Sequence, residues 1–288
     1  MIKWWNIIVG MILFGIWILV YLRQIKKREI AVGNIRPNEM PKSTTRKPDE
    51  IWELISASDV DSIQIANAEI ELRVLKIQGT EALQLWLDLR SAVDVTGLWP
   101  VILGNKDELD ATRTRLEEET EPVKDIIVKA QGVDIKNWYR TRVAKDTGYF
   151  RPSEGEWAED ARGAKDFSSN LEDLTKNPLP EVFLVLIPTK ECSEIPAYLQ
   201  FGGWGNIPLP EENVAILKHW NELTGAEVVA VKSDTLELMV QQPPSTKITA
   251  KQLAKEQFTY CPDSYAGNTI GSLAPQLRHS TVWRFWWD

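Results

Sequence analysis

The spacing of apolar residues along the chain predicts both strands and helices. Segments 68–77 and 236–242 alternate between apolar and polar residues, and the second is predicted to form a hairpin with 226–232. Residues 182–187 are continuously apolar and predict a short strand buried on both faces. Residues 210–224 place apolar side chains at helical spacing, with proline in the first turn, and predict a helix. Since helices and strands mix without regular alternation, we predict an α+β fold with a mixed or mainly antiparallel sheet and packed helices.

Weaker signals predict other elements. Asp49, Thr80 and Thr249 are residue types that cap helix N-termini, and each precedes a helical pattern. Residues 106–146 are charged and predict helices that break at a glutamate–proline pair and at a glycine, and the acidic tract 117–121 is interpreted as a solvated helix face. Residues 147–180 are rich in glycine, serine, proline and acidic residues, which predicts an irregular surface segment.

Residues 280–288 predict a C-terminal strand rich in tryptophan. With a period of two, Trp283, Phe285 and Trp287 share one face of this strand. Three aromatic side chains on one face predict that this face packs on the core. Trp286 belongs to the opposite face, next to an arginine, and is therefore the candidate for an exposed contact.

Residues 4–22 form an uncharged apolar segment that predicts one N-terminal transmembrane helix. At about 1.5 Å per residue this helix spans roughly 28 Å, close to the hydrocarbon thickness of a bilayer. A cleaved signal peptide is one alternative, but the apolar run is long and basic rather than small residues follow it. A buried soluble helix is another, but nineteen uncharged residues at the terminus argue against it. Basic residues at 23, 26, 27 and 28 exceed the positive charge before the span, so the positive-inside rule predicts a single-pass membrane protein with the bulk of the chain in the cytoplasm.

Three further regions follow the predicted membrane helix. Residues 23–48 are basic, contain three prolines and show no periodicity, which predicts a tether. Residues 49–180 predict an N-terminal α+β region with a charged helical insertion. Residues 181–288 predict a C-terminal domain.

Charge and composition exclude some classes of function. The 288-residue chain has a formal charge of −8, and residues 1–48 hold nine basic and two acidic side chains, so residues 49–288 carry −15. A region this acidic is unsuited to phosphate backbones, and we predict no nucleic-acid partner. The two cysteines and two histidines lack the paired spacing of a metal site, and no phosphate-binding glycine motif occurs, so we predict no metal and no cofactor.

The last hundred residues contain a series of motifs. In order they are PAYLQFGGWGN at 196–206, AILKHW at 215–220, GAEVV at 225–229, DTLEL at 234–238, AKEQFTYCPD at 254–263 and WRFWWD at 283–288. In content and order this series resembles the bacterial family known as domain of unknown function 4253, over about residues 180–288. The segment TGLWPVILG at 96–104 also resembles the upstream region of that family. The resemblance implies no chemistry for this chain. Members of that family are mostly soluble, so the predicted membrane segment and the charged stretch 106–181 are departures from the family.

Nine residues within these motifs are candidates for binding: Trp204, Asn206, His219, Trp220, Glu256, Tyr260, Cys261, Asp263 and Trp286. A nucleophilic enzyme would need an activated side chain such as Cys261 with His219 as its base. Packing or capping is the favoured interpretation of both residues. Glu256 is predicted to be solvated on a helix face, or to pair with His219 or Arg284. The glycine-rich stretch at 202–205 favours a tight turn, and the alternative is a close approach to a ligand beside a flat indole.

Two classes of function remain open, because the residues alone disclose no activity. The first is a membrane-anchored, cytoplasm-facing interaction module with a protein partner, and an immunity-like, toxin-neutralising role is one version of it by analogy. The second is a small-molecule-binding protein or an enzyme with its site near Trp204, His219 and Cys261. A pocket with converging polar groups would favour the second class, and a filled core with an exposed acidic or aromatic patch would favour the first.

Overall fold

A computed structural model describes residues 46–66, 68–118, 121–145 and 148–288. The predicted membrane helix, 4–22, lies outside the described residues, and so does the predicted tether except for its last three residues. In the part of the chain that the structure describes, no helix has both the length and the apolar composition needed to cross a membrane.

The strands form one mixed sheet in the order β1-β2-β4-β3-β5-β6-β7. They are β1 (Asp59–Gln64), β2 (Glu71–Ile77), β3 (Trp99–Gly104), β4 (Val182–Ile187), β5 (Ala226–Val231), β6 (Thr235–Val240) and β7 (Val282–Trp286). Neighbouring strands run antiparallel except β3 and β5, which are parallel and pair through Ile102 and Ala230. The α+β fold with a mixed, mainly antiparallel sheet is therefore confirmed.

Helices accompany the sheet throughout the described residues. The α-helices are α1 (Pro48–Ser58), α2 (Ala82–Ser91), α3 (Val93–Thr96), α4 (Lys106–Glu117), α5 (Val123–Gln131), α6 (Ile135–Lys145), α7 (Ile195–Tyr198), α8 (Pro210–Thr224), α9 (Lys247–Tyr260) and α10 (Ile270–Leu277). Two 3-10 turns, Cys192–Glu194 and Asp263–Tyr265, complete the described elements. The breaks predicted inside 106–146 separate α4, α5 and α6, as expected.

The two faces of the sheet belong to two hydrophobic clusters. Alternate residues of β4 point to opposite faces, so that Val185 joins the larger cluster and Leu184 the smaller. The larger cluster includes buried residues of α8, α9 and α10, and the smaller one includes Ile51 of α1 and Trp86 of α2. Every residue of β4 is buried, which confirms the prediction of a strand covered on both faces.

The two regions predicted on either side of residue 181 contribute to the same sheet. β4, the first strand of the C-terminal region, lies between β2 and β3 of the N-terminal region. The described residues also belong to one compact unit. Side chains from both regions can therefore meet in one site.

Three predicted N-caps are wrong, and one strand was not predicted. α1 begins at Pro48, ahead of Asp49, because proline suits the first helical position where no amide donor is needed. Glu81, not Thr80, precedes α2. The cap of α9 is Thr246, whose hydroxyl accepts from the amide of the predicted cap, Thr249, at 3.1 Å. β1 went unpredicted because it lies at the sheet edge and most of its side chains are exposed.

The segment predicted to be irregular, 147–180, has no helix or named strand in its described part, 148–180. Backbone hydrogen bonds nevertheless fix it to the domain, including Gly271 N to Glu154 O at 2.6 Å and Gly79 N to Leu179 O at 2.9 Å. The carboxylate of Glu237, which is fully buried, accepts from the amides of Ser168 and Ser169 at 2.8 and 3.0 Å. The segment is therefore an integral part of the fold.

Candidate functional site

A cleft of about 770 Å³ opens between α6, α8 and α9. Lys136, Tyr139, Arg140 and Val143 of α6 line one wall at helical i, i+3, i+4 and i+7 spacing. The opposite wall repeats that spacing on α9, with the residues Gln252, Lys255, Glu256 and Thr259. The two helices are held together by Arg142, whose Nε donates to the Thr259 carbonyl at 3.0 Å. Two helix faces that are far apart in sequence therefore form one concave surface.

His219 on α8 lies at the cleft wall because its neighbour, Trp220, is anchored in the core. Trp220 is fully buried and stacks on Phe285 with ring centroids 5.2 Å apart. A single residue step along a helix turns about 100°, so His219 emerges at the edge of the core, partly buried. The core packing of one residue thus orients the titratable residue beside it.

Glu256 joins His219 to Trp220 through hydrogen bonds. Its Oε2 lies 3.2 Å from Nε2 of His219 and accepts from Nε1 of Trp220 at 3.1 Å. Its Oε1 accepts from Nε2 of Gln252 at 2.9 Å. The carboxylate is almost fully buried, and these three contacts supply the partners that a buried charge requires. Of the two partners predicted for Glu256, the structure selects His219, whereas Arg284 lies 3.8 Å from Glu237.

The hydrogen bond to Glu256 raises the pKa of His219 above its ordinary value of 6.5, although burial opposes the shift. The imidazole therefore stays protonated to a higher pH than a free histidine. Because the folded-state pKa is raised, the pair stabilises the fold fully below pH 6.5, and that stabilisation is lost as the pH rises through the raised pKa.

We expect Glu256→Gln to lower the pKa of His219 towards 6.5. The substitution keeps a hydrogen-bonding side chain of the same shape but removes the negative charge that favours the imidazolium. Imidazole NMR through a pH titration measures the change, with His279, which is exposed, as the internal control. A His219 pKa that does not change in the variant would contradict the described role of Glu256.

More positive than negative side chains line the cleft, with Lys136, Arg140, Arg151 and Lys255 against Asp134 and Glu256. Lys136, Arg140 and Arg151 line it, and none of them has a carboxylate within 4 Å in the described part of the chain. Lys255 also lines the cleft, and its ammonium contacts Glu154 at 2.8 Å. Lys136, Arg140 and Arg151 are exposed, and they lie together in a region whose net charge is −15. The local field of the cleft therefore favours anions.

The hydroxyl of Tyr139 is buried at the cleft and, among the described residues, has no hydrogen-bond partner. Burial raises the pKa of this phenol well above 10, so the group is neutral and can donate. A buried polar group without a partner costs about 1–3 kcal/mol. This hydroxyl therefore lies inside the wall of the cleft and not at its surface.

Cys261 does not line the cleft with His219. Its Sγ donates to the Trp286 carbonyl at 3.0 Å, and burial raises the pKa of its thiol to about 12. A thiol in that state is a poor nucleophile, because the thiolate is the reactive form. Tyr260 is likewise a core residue, whose hydroxyl donates to Asn213 at 2.6 Å. The structure thus favours the packing interpretation of Cys261.

The remaining candidates lie near the C-terminus and the turn between β5 and β6. The indoles of Trp204 and Trp286 donate to this turn, to Ser233 O at 3.2 Å and Asp234 Oδ2 at 3.0 Å respectively. Each is 36% exposed. Asn206 and Asp263 are linked through Tyr149, which donates to Asp263 and accepts from Asn206 Nδ2 at 3.4 Å. The nine predicted residues are therefore divided between the cleft, the core and this second surface.

The glycines at 202–205 form a tight turn. Gly202 has φ +118°, and a Cβ there would lie 2.0 Å from the Pro208 carbonyl oxygen. Glycine is therefore required here by the geometry of the turn itself, which is the interpretation that the sequence favoured over a close approach to a ligand.

Sequence reasoning missed the α6 wall and Arg151. Lys136, Tyr139 and Arg140 belong to the charged segment 106–146, which predicts helices but no site. Their i, i+3 and i+4 spacing was the available signal, but the same spacing also describes an exposed polar stripe. No group of three or more metal-ligating side chains occurs among the described residues.

Together the fold and the cleft define an α+β protein with an open, cationic site of small-molecule size. Residues 183–288 match the family model described as Domain of unknown function (DUF4253), which confirms the resemblance over that range. The match includes the α8 and α9 walls of the cleft but neither the α6 wall nor Arg151. Comparison with curated proteins and with solved structures gives no match.

Proposed function

We propose that this protein is a binding protein for a small anionic molecule, which the His219 cleft holds. The observation that carries the proposal is the convergence of Lys136, Arg140 and Arg151 on the cleft without carboxylate partners among the described residues. His219 adds a further positive charge when it is protonated. Lys136, Arg140 and Arg151 are exposed, so their charged groups are accessible to a ligand, and an anionic ligand would pair with them.

The size and chemistry of the cleft support a small ligand. Its volume of about 770 Å³ lies within the roughly 300–1,000 Å³ of small-molecule sites. The arginines offer forked donors that match carboxylate or phosphate groups. The described lining residues include no serine or cysteine, so binding is better supported than catalysis by such a nucleophile.

Citrate is a suitable first probe, and we expect calorimetry on the full-length protein to detect its binding. A charge-assisted hydrogen bond contributes about 1.5–3 kcal/mol, so Arg151→Ala should weaken binding by roughly 10- to 100-fold. Arg162→Ala is the matched control, because Arg162 is an exposed arginine outside the cleft lining. Its affinity should equal that of the unchanged protein.

Two results would reject this function. One is no citrate or phosphate binding at low ionic strength, where charge attraction is strongest. The other is an equal loss of affinity in the Arg151 and Arg162 variants, which would indicate non-specific attraction to the surface.

The proposal includes a membrane anchor at residues 4–22, with the rest of the chain in the cytoplasm. Its support is the length of the apolar segment and the basic residues at 23, 26, 27 and 28. C-terminal fusions test this orientation: a reporter that is active only in the cytoplasm should work, and a periplasm-dependent phosphatase should be silent. The reverse pattern would reject it.

An interaction module, including an immunity-like one, is the second candidate function. It is favoured by Trp204 and Trp286, whose indole N–H groups are both fixed on the turn at Ser233 and Asp234. Oriented, half-exposed indoles are common anchors of protein interfaces. Affinity capture of the full-length protein from its native membranes should then retain a partner that Trp286→Ala releases. Capture that the substitution leaves unchanged would count against this surface.

A further inference from the structure

A second cleft, of about 400 Å³, adjoins the first. Both clefts are lined by Ile135 and His219, so they meet at these two side chains. The second cleft extends from there along α5, α8 and the 3-10 turn at Cys192–Glu194. The two clefts, together termed the groove, therefore lie side by side at His219.

The second cleft has the opposite charge. Glu191, Glu194 and Glu222 line it together with two basic residues, His219 and Lys218, and the Lys218 ammonium lies 3.5 Å from Glu222. In the described part of the chain neither Glu191 nor Glu194 has a cation within 4 Å. Glu194 accepts a hydrogen bond from the Thr189 hydroxyl at 2.6 Å, which fixes its carboxylate in place. One end of the combined groove is thus cationic and the other anionic.

The junction between the two ends is mixed in character. Ile135 contributes an apolar surface, and Val214 and Ala215 of α8 extend it into the second cleft. His219 contributes a polar group to both clefts. This arrangement suits a ligand whose middle portion has small apolar groups and an oxygen acceptor, such as a peptide carbonyl.

We infer that the ligand of this groove is a zwitterion of short-peptide length, with its carboxylate among Arg140 and Arg151 and its ammonium at Glu191 and Glu194. The inference rests on the proposed function, since it assigns the anionic group of the ligand to the same cationic cleft. What it adds is the positive group at the other end, which a simple anion lacks. Three extended residues span about 10 Å, the length of the tripeptide probe that tests the inference.

Tri-alanine and its two end-blocked forms test the inference by calorimetry on the full-length protein. Tri-alanine has both charges, N-acetyl-tri-alanine has only the carboxylate, and tri-alanine amide has only the ammonium. We expect the free peptide to bind at least tenfold more tightly than either blocked form. Replacing Glu191 and Glu194 together with glutamine should remove the preference over the acetylated form, whereas Glu53→Gln, at an exposed site outside the groove, should preserve it.

The outcomes separate this inference from the proposed function. If the acetylated peptide binds as tightly as the free peptide and both depend on Arg151, the zwitterion inference is overturned and the anion site stands. If citrate binds and no peptide does, the inference is again overturned. If neither citrate nor any peptide binds, the proposed function fails as well.

Discussion

Trp287→Ala is expected to lower the free energy of unfolding by about 3–5 kcal/mol, the usual cost of truncating a buried aromatic side chain to alanine. Trp287 is 3% exposed, and its ring contacts Tyr260 and Phe201 with centroids 5.3 and 6.0 Å apart. Its Nε1 is buried and has no partner among the described residues, so the substitution removes packing and no hydrogen bond. Chemical denaturation of the full-length protein and the variant measures the loss.

Trp286→Ala is the matched control one residue away. This indole is 36% exposed, and the substitution removes the hydrogen bond from Nε1 to Asp234 at 3.0 Å. We expect a cost of about 0.5–1.5 kcal/mol, as for a typical hydrogen bond. Large and equal losses would mean that β7 is buried on both faces, and negligible losses in both variants would mean that the C-terminus is not part of the core.

Gly271→Ala is expected to cost about 1–3 kcal/mol or more, because α10 and the segment 148–181 are in direct backbone contact. A Cβ at Gly271 would lie 2.1 Å from the Glu156 carbonyl oxygen, and backbone cannot rotate away as a side chain can. The same contact includes the hydrogen bonds from Ile270 N to Ser153 O at 2.8 Å and from Ala158 N to Gly271 O at 2.9 Å. The added methyl group must therefore displace the segment.

The control for this substitution is Gly132→Ala. Gly132 has φ −88°, and its nearest neighbour to an added Cβ is the Lys129 carbonyl oxygen at 3.4 Å. We expect a change in unfolding free energy within about 0.5 kcal/mol. Limited proteolysis within 148–165 should be faster in the Gly271 variant only, and citrate binding should weaken because Arg151 belongs to the displaced segment. Unaltered proteolysis and stability in that variant would contradict the described contact.

The pattern of apolar residues within one segment was enough to predict several helices and strands. The continuously apolar 182–187 is a strand because its side chains enter both clusters, and 210–224 is a helix with the predicted bounds. The alternation at the C-terminus also predicted that Trp283, Phe285 and Trp287 would be buried. β1 escaped prediction because an exposed edge strand needs little apolar periodicity.

The cleft could not be predicted in the same way. Its walls belong to α6 and α9, which meet through a hydrogen bond between residues 117 positions apart, Arg142 and Thr259. The periodicity of a sequence indicates which face of a helix is apolar. It does not indicate which two helices face each other with their polar sides. The sequence suggested His219 with Glu256 because both occur in recognisable motifs, whereas Arg140 and Arg151 resemble ordinary surface residues until the fold places them at one cleft.

The residues that line the cleft come from two parts of the sequence, the family match and the segments before it, and this suggests that the two parts have different roles. The DUF4253 match, 183–288, contains His219 and its hydrogen-bond network with Glu256, which is packed against the core. The cationic residues of α6 and Arg151 precede the match. We therefore expect the family domain to supply the framework of the site, and the upstream segments to determine which anion it selects.

Imidazole NMR during a citrate titration tests the central claim most directly, because the chain has two histidines, His219 and His279, and only His219 lines the cleft. An anion bound among Arg140 and Arg151 should shift the His219 signals and raise the pKa of His219 further, since a nearby negative charge favours the imidazolium. The His279 signals should not change. Citrate binding that leaves His219 unchanged, or that shifts both histidines equally, would contradict an anion site in this cleft.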